Sequence, residues 1–335
     1  MKFNTLRHII LIFNLIFCIY ITGQDFHYSL IQFSPLNLNP AQTGWHDADI
    51  RINANHRTQW NSVTTPYNTY SFGSDFSKIT PFPIGLIVNQ DRAGDSDFNT
   101  FQTNLSTAFQ LINDSVQHLR IGIQGGITIR SIQTDNLTFD SQYNGMFFDP
   151  TLPTNESFST FNKIYGNMNF GIMYVRRIGI RNILNMDLSA FNLNQSDQSF
   201  MGAVPPVRID PKITARIEHQ FTLNDFFSID NSIFFIQQGT HREVLLGAKI
   251  KYLLADLIDL KRAIWTGVYY RNKDAIFITG GFEFNQWQAG ISYDINLSTL
   301  IPASRLRGGF EMALIYKIKR KIQLENPLLI CLDYL

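Results

Sequence analysis

The sequence predicts an all-β fold, an antiparallel transmembrane β-barrel of about 14 strands and of the outer-membrane type. The first observation behind this prediction is a strict alternation of apolar and polar residues. In residues 101–111, for example, Phe101, Leu105 and Phe109 share one face and Gln102 lies on the other. Successive side chains of a strand point to opposite faces, so each such segment has an apolar face for lipid and a polar face for a lumen.

The lengths of the segments and of their connections are the second and third observations. The alternating segments are residues 48–59, 67–76, 83–90, 98–111, 117–131, 164–175, 182–192, 211–221, 226–237, 242–254, 263–271, 275–284, 286–296 and 309–319. Several have about ten residues or more, the length of a tilted membrane-spanning strand. Connections after even-numbered segments are mostly short, whereas residues 132–163, 193–210 and 297–308 are long and follow odd-numbered ones. This asymmetry is typical of outer-membrane barrels. The exception is residues 255–261, a longer connection on the short-turn side that we expect to hold a helical turn.

A soluble β-sandwich or propeller would also alternate, and two features favour the barrel over it. The polar faces are rich in Asn, Gln, Ser, Thr and Gly rather than in Lys and Glu. Aromatic residues such as Tyr174, Trp265, Trp287 and Tyr316 lie near segment ends, which suits an interfacial girdle.

The N-terminus has the pattern of a secretory signal peptide. In residues 1–23, Lys2 and Arg7 come before or at the start of an apolar stretch, and small residues precede Gln24, where we expect cleavage. The mature chain would then keep one cysteine, Cys331, which allows no intrachain disulfide.

Residues 24–47 differ from the alternating segments. They are rich in apolar residues and carry turn signals at Pro35, Pro40 and Gly44. A free tail would leave those apolar groups in water, so we expect the rest of the chain to build a surface for them. We place this segment, packed in or under the barrel of residues 48–319, on the short-turn, periplasmic side. The C-terminal tail, residues 320–335, is expected on the same side.

Several motifs resemble one known family. LNLNPAQTG at residues 36–44, RTQW at 57–60 and TTPYNTYSF at 64–72 are similar to the opening of the PorP/SprF family. These proteins are outer-membrane components of the type IX secretion system of Bacteroidetes. The hairpin at residues 290–319 resembles the family's closing hairpin. The family often has Cys-Pro after its last strand, whereas Leu332 follows Cys331 here.

The resemblance implies a non-enzymatic secretion component. It would bind periplasmic ring or stalk proteins, or support secretion and surface anchoring of a cargo such as a gliding adhesin. The motif residues expected to bind a partner or to fix the structure are Asn39, Pro40, Gly44, Arg57, Gln59, Trp60, Pro66, Tyr293, Asp294, Gly309 and Glu311. The barrel pattern alone leaves open the alternative of a passive porin or transporter for small solutes.

Charged residues at lumen-facing positions are expected to pair with one another, because buried charges are usually paired. They are Arg120, Arg130, Asp187, Arg216, Glu218, Lys249, Lys251, Glu283, Asp294, Glu311 and Lys317.

The sequence gives only weak signals for a catalytic or metal site. His46, Asp47 and Asp49 belong to one local turn without a nucleophile, base and orienting group brought together. The acidic stretch at residues 89–99 lacks the ligand spacing of a calcium loop. We expect no enzymatic activity, metal or cofactor.

The net charge of the chain bears on its partners. The 28 basic and 27 acidic groups nearly cancel, which argues against a nucleic-acid partner. Outer-membrane lipid is the other expected contact.

Overall fold

The computed structural model describes residues 25–59, 65–77, 82–94, 98–133, 138–155, 160–200, 206–257, 260–298 and 306–320. The expected signal peptide, Trp60 and the tail beyond Arg320 lie outside these ranges. Within them, no helix is long and apolar enough to cross a membrane.

The described residues form fourteen antiparallel strands in one closed barrel, as predicted. Each strand pairs with its neighbours in sequence, and β1 pairs with β14 to close the sheet. The strands are β1 (Ile50–Gln59), β2 (Tyr67–Phe76), β3 (Ile84–Ala93), β4 (Phe98–Asn113), β5 (Gln117–Ser131), β6 (Asn162–Ile178), β7 (Asn182–Phe191), β8 (Lys212–Thr222), β9 (Phe227–Gln238), β10 (His241–Leu257), β11 (Leu260–Arg271), β12 (Ala275–Phe284), β13 (Trp287–Asn296) and β14 (Arg307–Ile318). A four-residue helix, α1 (Pro35–Leu38), and three 3₁₀ turns (Ile31–Phe33, Pro40–Gln42 and Asp140–Gln142) complete the described secondary structure.

The two faces of the strands are those that the alternation predicts. Ile123, Ile217 and Leu314 are 51%, 48% and 39% exposed on the outside of the barrel. Their sequence neighbours Gln124 and Arg216 point inward and are buried. The outer face is therefore apolar and the lumen face is polar, as a barrel in lipid requires.

One expectation about the connections is wrong. The described residues of this stretch, 255–257 and 260–261, are extended and not helical, because β10 continues to Leu257 and β11 begins at Leu260. Ala255 lies opposite Arg262 in the extended ladder, after a register shift at Leu253. A seven-residue stretch is too short to be stable as a helix by itself, whereas strand pairing satisfies the backbone hydrogen bonds of both strands.

Residues 25–47, named the plug from here on, lie inside the lumen. At one end, the Asp25 amide donates to Gln238 Oε1 at 2.8 Å, next to the β9–β10 connection on the long-loop side. At the other end, the Gly44 amide donates to Asp75 Oδ2 at 2.7 Å, where β2 ends on the short-turn side. The plug thus runs through the lumen from the long-loop end to the short-turn end. The expectation that its whole length lies on the short-turn side is wrong.

The predicted surface for the apolar residues of the plug is the lumen wall. Leu30 and Phe33 pack with Trp265, Ala313 and Ile315. Further along, Leu38 packs with Phe234, Leu245, Tyr269 and Phe277, and Ala41 with Met173 and Val175. A barrel of this strand number is too wide for its own side chains to fill, and the plug occupies the remaining space.

Candidate functional site

Ser29 of the plug lies at the centre of a buried charge cluster in the long-loop half of the lumen. Its Oγ accepts hydrogen bonds from Arg57 Nη1 at 2.6 Å and from Arg271 Nη2 at 2.8 Å, and donates to Asp294 Oδ1 at 2.9 Å. Its amide donates to Glu311 Oε2 at 2.7 Å. Side chains from β1, β11, β13 and β14 therefore converge on a single residue of the plug.

The charges of this cluster also pair along the wall. Arg57 lies 2.7 Å from Asp294 and 3.3 Å from Glu311, and Arg271 lies 3.3 Å from Asp294 and 3.2 Å from Glu243. Arg57 and Glu311 are 1% and 0% exposed. Removing one partner of a buried pair typically costs about 3–5 kcal/mol, because the other charge is left without compensation. The cluster is thus a charge-paired part of the wall, and Ser29 adds hydrogen bonds to it from the plug.

Gly309 of β14 lies beside this cluster and has no side chain to crowd it. A Cβ at Gly309 would lie 3.2 Å from Arg57 Nη2 and 3.2 Å from Gln59 Cγ. A side chain at this lumen-facing position of β14 would crowd the Arg57 guanidinium, and glycine leaves that space open.

A second set of contacts holds the middle of the plug. Asn39 Nδ2 donates to Asp187 Oδ1 at 3.0 Å and to the Ile172 carbonyl at 2.8 Å, and Gln42 Nε2 donates to the same Asp187 oxygen at 2.9 Å. The other carboxylate oxygen of Asp187 accepts from Arg216 Nε and Nη2 at 2.8 and 2.6 Å. Asp187 therefore joins the plug to a wall cation.

The 3₁₀ turn at Pro40–Gln42 lies against wall positions that have no side chain. A Cβ at Gly122 would be 2.2 Å from the Ala41 amide nitrogen, and one at Gly171 would be 1.9 Å from Asn39 Oδ1. Such distances are too short for any side chain, so these two glycines permit the close approach of the plug backbone.

Two arginines hold the plug at the short-turn end. Arg51 donates to both oxygens of Asp75, at 2.9 and 2.7 Å, and to the Gln42 carbonyl at 3.1 Å. Arg120 donates to the carbonyls of Ala41 and Thr43. Gly44 has φ of +69°, a conformation that favours glycine, and it turns its amide toward Asp75.

Burial changes the protonation of the plug histidines. It lowers the pKa of His27 to about 4, with Arg271 and Arg57 opposing protonation further and Glu243 favouring it. It also lowers the pKa of His46 to about 4, where Arg51 adds to the effect and Asp75 opposes it. Both imidazoles are therefore neutral at neutral pH when the plug is in place.

The structure brings together five of the residues singled out from the sequence. Arg57, Gln59, Asp294, Gly309 and Glu311 all lie at or beside the Ser29 cluster. The other positions are separate, with Asn39, Pro40 and Gly44 further along the plug and Trp60 outside the described residues.

Two predicted residues lie away from the plug. Tyr293 is 46% exposed on the outer face of β13, opposite Phe310. Pro66 lies in the loop before β2, where its carbonyl accepts from Asn68 Nδ2 at 3.4 Å.

Ten of the eleven predicted lumen charges form ion pairs, some of them with acidic residues of the plug, whereas Arg120 donates to plug carbonyls instead. Wall pairs include Lys249–Asp230 at 3.0 Å and Lys251–Glu283 at 2.6 Å. Lys317, by contrast, pairs with Asp47 at 2.8 Å.

Five members of these networks were not predicted from the sequence: Ser29, Arg51, Asp75, Arg271 and Glu243. The alternation was the available signal for the four on strands, since each has the parity of the polar face. Ser29 carried no signal of its own.

Comparison with known proteins agrees with the fold and the motifs. The sequence profile of the type IX secretion system membrane protein PorP/SprF matches residues 21–316. The chain belongs to the PorP/SprF family. None of the curated protein sequences matches it.

The described residues contain no group of three or more His, Cys, Asp or Glu side chains that could hold a metal ion.

Solved structures with a similar fold are barrels of very different sequence. The toluene transporter TodX of Pseudomonas putida has a TM-score of 0.54 at 9% identity, covering 89% of this chain and 96% of TodX. A FadL homologue of Pseudomonas aeruginosa has a TM-score of 0.45 at 13% identity, covering 83% and 92%. At such identities the similarity to TodX shows the outer-membrane barrel fold alone.

Proposed function

We propose that this protein is a non-enzymatic secretion component whose barrel is closed by its own plug and acts as a scaffold. It would bind periplasmic ring or stalk proteins of the type IX system, or support secretion and anchoring of a surface adhesin, through its exposed ends. Family membership supports the secretion role. The observation that carries the scaffold interpretation is the plug, which is bonded to the wall at the long-loop end, in the middle and at the short-turn end.

The porin alternative has less support from the lumen. Cavities around Asp25 and Phe26, between the plug and the wall, have volumes of about 20, 30 and 50 Å³. A cavity needs about 10–15 Å³ to hold one water molecule, so each of these spaces has room for a few waters only. The transport function of TodX belongs to that protein.

The orientation in the membrane follows from the barrel pattern. Long loops of outer-membrane barrels face outward and short turns face the periplasm. Under this orientation the plug begins near the outer surface at Asp25, and β14 ends on the periplasmic side next to Asp49. Export by a signal peptide at residues 1–23 remains part of the proposal.

Two measurements test this function together. Liposomes containing the purified protein should not swell in small sugars, whereas a variant lacking residues 25–43 should open a lumen and allow swelling. In cells, deletion of the gene should abolish secretion of type IX cargo, and the wild-type gene should restore it. Normal secretion in the deletion strain combined with lost solute uptake would replace our proposal with the porin.

A further inference from the structure

The outer face of the barrel contains a groove of about 930 Å³ that extends to both sides of the closing pair of β1 and β14. Large apolar side chains line it and are each about half exposed, among them Phe72, Ile264 and Phe282. Small residues on the same outer face leave space between them, namely Ala54, Gly280 and Ala289. The volume lies within the range of about 300–1,000 Å³ that is typical of ligand sites. We call this concavity the outer groove.

The wall beneath the outer groove has little side-chain volume on its lumen face as well. Gly281 of β12 and Gly290 of β13 are paired, and a Cβ at these positions would lie 2.3 and 3.0 Å from the Trp265 ring. That ring packs in turn on Phe33 of the plug, with centroids 5.8 Å apart. The groove is therefore supported from inside by the docked plug, and its shape is preformed.

The outer groove is wider than it is tall. Its lining comes from eight neighbouring strands, from β4 through β1 and β14 to β11, which at about 4.8 Å per strand extend about 34 Å around the wall. Along β1, its outward-facing lining residues are Ala54 and His56, only about 7 Å apart. A membrane-crossing helix would follow the bilayer normal for about 30 Å, so it fits this shape poorly. Several acyl chains lying side by side fit it well.

Polar side chains border the outer groove on the side of the long loops. His56 stacks on Tyr70 with ring centroids 4.5 Å apart, and Gln90 lies opposite Tyr70 on the next strand. Arg92 is exposed two residues further toward the long-loop end. Its Nε lies 3.2 Å from the Gln90 amide, and it forms no ion pair with any residue that the structure describes. Ionisable groups at membrane depth commonly mark binding sites, and the fork of an arginine matches a phosphate.

We propose that the outer groove binds a phosphorylated, multiply acylated glycolipid of the lipid A type. The acyl chains lie side by side over Ala54, Gly280 and Ala289, and a phosphate binds Arg92. The polar border is at the long-loop end, which faces the outer leaflet under the orientation proposed above, and lipid A is the multiply acylated lipid of that leaflet. The inference rests on this orientation and is independent of the secretion role.

Lipid retention by the purified full-length protein tests the proposal. After extraction of outer membranes in a mild detergent, native mass spectrometry counts lipid A and phospholipid on each chain. Wild-type protein should retain lipid A, whereas Ala54→Phe combined with Ala289→Phe should retain at least about tenfold less, because the added rings fill the groove. Ala215→Phe is the matched control and should behave as wild type, since Ala215 lies on the outer face of β8 outside the groove.

A second comparison tests the phosphate contact without filling the groove. Delipidated wild-type protein should bind lipid A at least about tenfold more tightly than dephosphorylated lipid A, because a charge-assisted contact is lost. Arg92→Glu should bind the two forms with equal affinity. This comparison decides alone if the double phenylalanine variant does not give a heat-modifiable barrel.

Three results would overturn the proposal. The first is equal lipid A retention by the groove-filling variant and Ala215→Phe, and the second is phospholipid in place of lipid A on the wild-type protein. The third is a second protein chain in the mass of the wild-type complex that is lost on filling the groove, because the occupant would then be a protein.

Discussion

Gly122 of β5 and Gly171 of β6 are direct partners across the sheet, and both face the lumen beneath the plug. The pair forms a flat patch without side chains, on which Asn39 and Pro40 lie in contact with the wall backbone. The path of the plug is therefore encoded in the wall as well as in the turns of residues 25–47.

Replacing either glycine by alanine should displace the plug while leaving the strands paired. The added Cβ would lie 2.2 Å from Ala41 in Gly122→Ala and 1.9 Å from Asn39 in Gly171→Ala. We expect faster proteolysis or amide exchange in the plug, with the heat-modifiable barrel retained. Gly125→Ala is the control, because its Cβ meets its first neighbour at 3.7 Å on the outer side of β5. Equal exchange in Gly122→Ala and Gly125→Ala would contradict the role of the patch.

Removal of the Ser29 hydroxyl should loosen the long-loop end of the plug. In Ser29→Ala, Arg57 and Arg271 each lose an acceptor and Asp294 loses a donor. Leaving such buried groups unsatisfied costs about 1–3 kcal/mol, measurable as earlier urea-induced release of the plug. Ser141→Ala in an exposed loop should change stability by less than about 0.5 kcal/mol. An equal shift in the two variants would show that Ser29 does not hold the plug.

The barrel was more predictable than the contacts inside it, for physical reasons. Alternation is a local property of each strand, so bounds such as those of β2, β5 and β12 could be read directly from the sequence. The plug contacts join residues far apart, as in the bond between Ser29 and Glu311, and no local period encodes them. The turn signals at Pro35, Pro40 and Gly44 indicated a fixed path for the plug without indicating that the path runs through the lumen. The helical turn expected within residues 255–261 is wrong because residues 255–257 pair with residues 260–262 in extended conformation, a choice that the local sequence alone leaves ambiguous.

Arginine on the outer face should disrupt insertion into lipid. Ile123→Arg places a charge in the hydrocarbon band, which costs about 2–4 kcal/mol near the midplane of the membrane. Ile180→Arg is the control, since Ile180 is fully exposed at the tip of the β6–β7 turn. Folding yield into liposomes should fall for the first variant only. Comparable yields would mean that β5 does not face lipid at this position.

Labelling of introduced cysteines should distinguish the two ends of the barrel. In a Cys331→Ser background, Asn144→Cys and Gln195→Cys lie in the long loops, and Asn113→Cys and Asn224→Cys lie at short turns. An impermeant maleimide added to intact cells should reach only the first two thiols. All four should label after the outer membrane is permeabilised. Reaction at the short-turn positions in intact cells would reverse or refute the orientation.

Mild acid should weaken docking of the plug through its two histidines. His27 and His46 have pKa values of about 4 in the docked plug, against about 6.5 for free imidazole. Between these values the released plug binds more protons, so docking stability is full above about pH 6.5 and falls as the pH is lowered toward about 4. Amide exchange of the plug, corrected for the intrinsic pH dependence, should therefore accelerate across this window. The double variant His27→Gln and His46→Gln should show a flatter response, because it removes both titrations and leaves the carboxylates unchanged. A response of the same size in the double variant would assign the pH dependence to the buried carboxylates instead.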